Sequence, residues 1–257
     1  MKKEWPIRDL FGVPLDAMTE AQVLDLIGRV IRERARLLIG VVNAAKMVNM
    51  RRDADLDDVV RTADIILADG MAVVWAARLL RRRLPERVAG IDLMMRMLKY
   101  GQSRGYRVYC LGAKQEVLDT VVNIIHREYP GVVVAGSRNG YFEDDDEEQI
   151  AKSISDAKPD MLFVAMTSPK KEKFLAHWRD TLNVPVCHGV GGAFDVMAGK
   201  VRRAPAIWQK LGMEWAYRVM QEPRRMWRRY LVTNTLFLWM LTREMFGLLS
   251  RRTAGQR

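Results

Sequence analysis

Along the chain, short runs of continuous apolar residues alternate with longer stretches in which apolar residues return every three or four positions. Leu37–Val42 (LLIGVV), Asp64–Ala68 (DIILA), Arg107–Leu111 (RVYCL), Gly131–Ala135 (GVVVA), Met161–Ala165 (MLFVA) and Val184–Cys187 (VPVC) are of the first kind. They predict strands of a parallel sheet buried on both faces. Val23, Leu24, Leu26, Ile27, Val30 and Ile31 are of the second kind, and they follow Thr19-Glu20-Ala21-Gln22, which has the spacing of a capping box. Helices are likewise predicted over Met71–Leu80, over Glu116–Arg127 and from about Lys170. The segment before Thr19 reads as a linker. Strands alternating with helices imply right-handed βαβ crossovers, so the fold class is α/β, a Rossmann-like sheet with helices on both faces. Ligands of such sheets bind outside the carboxyl ends of the strands, which directs attention to Asn43, Asp69, Gly112, Thr167 and Gly189–Gly192.

Charge adds an appendage to this core. The formal net charge of +11 is concentrated from Lys200 onward, where 13 Lys and Arg, Lys200 included, face only Glu214, Glu222 and Glu244. The tail also holds Trp208, Trp215, Trp227 and Trp239, beside the uncharged run Tyr230–Thr242 (YLVTNTLFLWMLT). Tryptophan among arginines suits a headgroup interface, and this run is too short to cross about 30 Å of hydrocarbon. The chain is therefore expected to divide into a catalytic core, residues 1–199, and a basic helical membrane-binding appendage, residues 200–257, that lies on an anionic membrane surface. The start, MKKEWPIRDLFG, has no apolar run of a secretory signal, and the only cysteines, Cys110 and Cys187, sit in apolar runs as buried thiols. A cytoplasmic location follows.

Several residues at the strand ends could carry chemistry. Asp69 ends a strand just before Gly70 and a helix, where its carboxylate either takes a proton from an attacking hydroxyl or caps that helix. Asn43 has the same placement; a sugar hydroxyl or phosphate oxygen is one partner for it, and turn chemistry the plain alternative. Gly112-Ala113 and Gly189–Gly192 allow backbone to approach a nucleotide closely. His126 and His177 read as helix-surface residues, whereas His188 ends a strand within reach of a ligand. No histidine has a neighbour at zinc-ligand spacing, and the acidic run Glu143–Glu148 (EDDDEE) is remote from the strand ends and reads as complementing a helix dipole. Neither a metal nor a cofactor is expected. Fixed arginines must then stabilise a departing diphosphate. Arg218, Arg225 and Arg228 are spaced to share one helical face unless Pro223 breaks the helix, and lipid headgroups are their alternative partner.

Seven segments in order resemble one family, the WecG/TagA/CpsF glycosyltransferases. They are VVNAAKMV, ADIILADGMAVVWAARLL, ERVAGIDL, YCLGAKQEV, FVAMTSPKKEKF, GVGGAFDVMAGKVRRAP and LGMEWAYRVMQEPRRMWRRYL, and they run from about residue 40 to 231. The resemblance implies inverting, metal-independent transfer from a UDP-sugar to an undecaprenyl-diphosphate-linked sugar, at the cytoplasmic face of the membrane, in surface or exopolysaccharide biosynthesis. It places Asp69 on the proposed catalytic base, Asn43 on the polar residue beside it, and Arg87 of ERVAGIDL on an active-site arginine. Arg218, Arg225 and Arg228 match the arginines of a helical appendage that completes the site. With Gly112, Lys171, Gly191, Gly192 and Asp195 they make up the candidate donor-binding set. Two positions depart from the family pattern. Val41 stands where many relatives have Thr, and Lys171, in PKKE, where they have Gln. Lys171 either meets a phosphate or carboxylate of the substrate or turns to solvent, and the departures make a plain UDP-hexose such as UDP-glucose a donor to weigh beside UDP-N-acetylmannosamine and its uronic acid. A nucleic-acid-binding protein using the basic tail is the rival reading, disfavoured by the uncharged run. A nicotinamide-dependent dehydrogenase is disfavoured because no GxGxxG appears.

Overall fold

The computed structural model describes residues 3–254, apart from the side chains of Arg225 and of residues 248–254. It opens with a hairpin, β1 (Ile7–Leu10) and β2 (Val13–Asp16), where the sequence suggested a linker. Phe11 (φ 55°) and Gly12 (φ 78°) form its turn, the double left-handed geometry that suits the twist of a two-residue hairpin. Phe11 accepts this backbone because its ring is buried, edge-on to Phe237 with centroids 5.5 Å apart. The hairpin closes one sheet edge through Asp16, whose buried carboxylate accepts the Ile66 N–H at 2.7 Å.

The core then alternates as expected. Helix α1 (Glu20–Arg32), begun by the Thr19–Gln22 capping box, leads to β3 (Leu37–Val42), α2 (Ala44–Met50), α3 (Ala54–Arg61), β4 (Ile65–Ala68) and α4 (Met71–Leu79). Next come α5 (Gly90–Gln102), β5 (Arg107–Gly112), α6 (Gln115–Glu128) and β6 (Val133–Arg138), followed by α7 (Glu147–Asp156), β7 (Met161–Ala165), α8 (Lys170–His177), α9 (Arg179–Leu182), β8 (Val186–Gly189) and α10 (Ala193–Met197). The six strands pair in the order β4-β3-β8-β7-β5-β6, all parallel. Alternate side chains serve opposite faces. Leu37, Ile39, Ile65 and Leu67 pack with α1 and α5, whereas Val42, Ile66 and Ala68 pack with the hairpin, α2 and α4.

Beyond the core, α11 (Ala206–Lys210) and α12 (Glu214–Gln221) precede a single long helix, α13 (Pro223–Ala254). A break at Pro223 puts Arg218 on α12 and Arg225 and Arg228 on α13, so the three arginines do not share one helical face. Helix α13 runs along α2, and its Phe237 and Leu241 complete the buried cluster of the hairpin and α4. Among the described residues no helix is long and apolar enough to cross a membrane. Cys110 and Cys187 are buried and free, with burial pushing both thiols up to about 12.

Candidate active site

Two neighbouring strands set the site. Strands β3 and β4 end side by side, and the Asp69 N–H extends their ladder by donating to the Val42 carbonyl at 2.8 Å. Asn43 and Asp69 therefore leave the sheet together. Asn43 caps α2, its Oδ1 accepting the Lys46 N–H at 2.9 Å, so that oxygen is already engaged. Asp69 has no such duty, because the residue capping α4 is Gly70, at φ 115° and without a side-chain bond. The capping alternative for Asp69 falls away.

Arg87 acts on Asp69 through its charge because its segment returns to β4, with the Val88 N–H donating to the Ala68 carbonyl at 2.9 Å. Its guanidinium is shared between core and tail. It donates to Asp92 of α5 at 3.0 Å and to Glu214 of α12 at 2.9 Å. Arg203 grips the same Asp92 with both terminal nitrogens at 2.6 Å, a fork that docks the entry to the tail on the core. The Asp69 carboxyl stands in the field of all these groups. Burial raises it to about 6; Glu214 adds to the rise, while Arg87, Arg218 and Lys46 oppose it. At neutral pH it is ionised and basic enough to accept a proton.

A second charged cluster lies beside it. Lys171 is 6 % exposed, so it does not turn to solvent. It packs on Gly189, and its Nζ donates to Glu172 Oε1 at 2.6 Å, an oxygen also held by Lys46 at 2.7 Å. Burial is the largest influence on each partner. It lowers Lys171 to about 8, assisted by Lys46. In Glu172 it acts upward, but Lys46 and Lys171 outweigh it and hold that carboxyl at about 2. The other Glu172 oxygen is buried and has no hydrogen-bond partner among the described residues.

The remaining expectations divide. Gly112 (φ 125°) is a packing glycine, since a Cβ there would collide with the Ala165 carbonyl. Gly191 (φ 55°) and Gly192 stay open, with only Asp195 Oδ2 within 4.0 Å of a Cβ on Gly192. Arg228 lies over the Trp227 ring at 5.4 Å, and no described contact ties it to Asp69; the side chain of Arg225 lies outside the described residues. His188 is wholly buried, with Nε2 3.1 Å from the Gly90 carbonyl and burial lowering it to about 4, so it is a neutral core residue out of a ligand's reach. His126 and His177 are exposed on helices as expected. Among the described residues no group of three or more His, Cys, Asp or Glu could hold a metal ion.

The sequence reading missed Lys46, Glu172 and Glu214. Each carried a signal. Lys46 is three residues after Asn43 on the same helical turn, Glu172 adjoins Lys171, and Glu214 precedes Arg218 by four positions and so shares its face.

Residues 8–251 match the model of the glycosyl transferase WecG/TagA/CpsF family. The chain belongs to this family. It is a glycosyltransferase. Its relatives include the N-acetylglucosaminyldiphosphoundecaprenol N-acetyl-beta-D-mannosaminyltransferase of Bacillus subtilis (strain 168), 37 % identical over 83 % of this chain and 82 % of the relative. The protein of the same name from Bacillus spizizenii (strain ATCC 23059 / NRRL B-14472 / W23) is 37 % identical over 72 % of this chain and 69 % of the relative. Within this WecG/TagA/CpsF chain, α12 with its Arg218 and α13 as far as residue 251 lie inside the matched span, so the match takes in the tail as well as the core.

Proposed function

We propose that this enzyme is an inverting, metal-independent transferase that moves a sugar from a UDP-sugar to an undecaprenyl-diphosphate-linked sugar at the cytoplasmic membrane surface. The observation that carries the reading is a carboxylate at the joint end of two parallel strands, raised to about 6 and in the field of Arg87 and Arg218. Asp69 takes the proton of the acceptor hydroxyl as that oxygen bonds to the anomeric carbon. The bond from that carbon to UDP breaks on the opposite side, and Arg87, Arg218, Arg225 and Arg228 receive the diphosphate charge. Gly191, Gly192 and Asp195 line the donor's approach, Asn43 offers its amide to a sugar hydroxyl, and Lys171 stands against the donor sugar. The names of the two Bacillus relatives support an undecaprenyl-diphosphate acceptor and an N-acetylmannosaminyl donor. Val41 and the buried Lys171 favour testing other donors beside it. Residues 1–199 form the catalytic core in this reading, and residues 200–257 supply arginines and peripheral attachment through exposed side chains such as Ile207, Trp215, Met220 and Trp227.

The test is UDP release from a panel of UDP-N-acetylmannosamine, its uronic acid and UDP-glucose, in the presence of chelator, with and without a polyprenyl-diphosphate-sugar. One donor should react, only with acceptor and regardless of chelator. Asp69→Asn should lower kcat by a factor on the order of 10² to 10⁴ with donor affinity nearly unchanged. Full turnover in that variant removes Asp69 from the role.

A further inference from the structure

A groove of about 1020 Å³ runs between α13 and the far end of α2. None of its lining residues acts on Asp69. Helix α2 separates the two places, with Asn43 at one end and Arg51 past the other, about 10 Å along the helix. The groove is apolar within, where Phe11, Val48, Leu236 and Met240 meet, and cationic at its rim, where Arg51, Arg52, Arg82 and Arg243 outnumber the acidic lining residue Glu244. Two of these cations are committed. Arg51 donates to the Phe11 carbonyl at 2.6 Å, and Arg82 is held by Glu244 and Asp9. The guanidiniums of Arg52 and Arg243 have no hydrogen-bonded or ion-paired partner among the described residues, and Arg243 lies over the Trp239 ring, 5.4 Å from its centroid. Helix α13 presents apolar side chains to the groove and to solvent at once, Leu231 being 60 % and Trp239 56 % exposed.

We propose that this groove seats one anionic phospholipid of the bilayer, its phosphate between Arg52 and Arg243 and its acyl chains along Leu231, Leu236 and Trp239. The inference rests on the membrane-surface reading above and adds a defined site to it. Two free guanidiniums match a phosphate, an indole beside them suits the headgroup boundary, and an apolar floor is wasted on a free ion. Because α2 and the core hairpin form one wall, the lipid engages the catalytic core as well as the tail and fixes how α13 lies on the bilayer.

The full-length chain is tested for sedimentation with vesicles of phosphatidylcholine, alone and with phosphatidylglycerol. Short-chain phosphatidylglycerol below its micellar concentration, and inorganic phosphate, serve as soluble probes in thermal unfolding. Arg52→Glu with Arg243→Glu should weaken binding to phosphatidylglycerol vesicles on the order of tenfold or more. The soluble lipid should raise the Tm of the wild type and not of this variant. Lys99→Glu with Arg127→Glu, an equal charge change on exposed positions of α5 and α6, should lose little. Arg52→Ala with Arg243→Ala repeats the test without new carboxylates. Equal losses in the groove and control variants would mean diffuse attraction and overturn the site, as would protection by phosphate equal to that by the lipid. Wild-type binding matched by the groove variants defeats the site alone, whereas failure of the wild type on both vesicles defeats the membrane-surface reading with it.

Discussion

Asp69 is a carboxyl whose surroundings work against its charge, and that has two consequences for pH. As a base it must be ionised, so kcat/KM should fall about tenfold per pH unit below a limb near 6, against the ordinary 3.8. For stability the sign is opposite to the usual carboxylate. The unfolded chain releases this proton first, so folding free energy is lost as pH rises from 3.8 to about 6. Asp69→Asn should therefore be more stable than the wild type at pH 7, by on the order of 1–3 kcal/mol in denaturant unfolding, even as turnover collapses. Lower stability in that variant would mean that the ionised carboxylate has partners which offset its burial. Asp69 itself was legible in the sequence from its strand-end position and motif. Of the groups that shift it, Arg87 and Arg218 were legible by motif as well, but Lys46 and Glu214 were not, because they come from segments far apart in the chain that only folding brings together.

Elements were legible where burial is two-sided. The runs at Leu37–Val42 and Met161–Ala165 are strands with the bounds expected. Strand β8 starts two residues later than its apolar run, since Pro185 has no N–H for the ladder, and it continues through His188, a polar residue that burial conceals. Strand β6 also shifts, to Val133–Arg138, because an edge strand with exposed ends lacks a continuous apolar run. The hairpin was missed because its turn is Phe11-Gly12, and the burial that holds Phe11 left-handed comes from a helix more than two hundred residues away. Helix α12 is the tail element whose charges, Glu214 and Arg218, act on Asp69. Glu214→Gln should move the acidic limb of kcat/KM to lower pH, because it removes the carboxylate that raises Asp69. An unmoved limb would mean that burial alone sets it.

At the scale of the molecule, core and tail are two parts in sequence and one in packing. Phe237 and Leu241 of α13 lie in the same buried cluster as Leu10, Phe11 and Met47, so the composition boundary near residue 200 does not divide the packing. Phe237→Ala should cost on the order of 3 kcal/mol of unfolding free energy, and a loss below about 1 kcal/mol would mean that α13 is only loosely held. The composition shift at Lys200 announced the appendage, but charge says nothing about which face of the core receives it. That face is chosen by the apolar gap which the hairpin, α2 and α4 leave between them. The Arg87–Glu214 pair gives this union a chemical meaning. In the mechanism proposed above Arg87 is one of the cations that meet the diphosphate, and it already carries an anion of the protein's own, Glu214. Donor binding in that mechanism is an exchange of one anion for another: stray phosphate or chloride would find the place taken, and only a ligand that also grips other groups around Asp69 would evict Glu214.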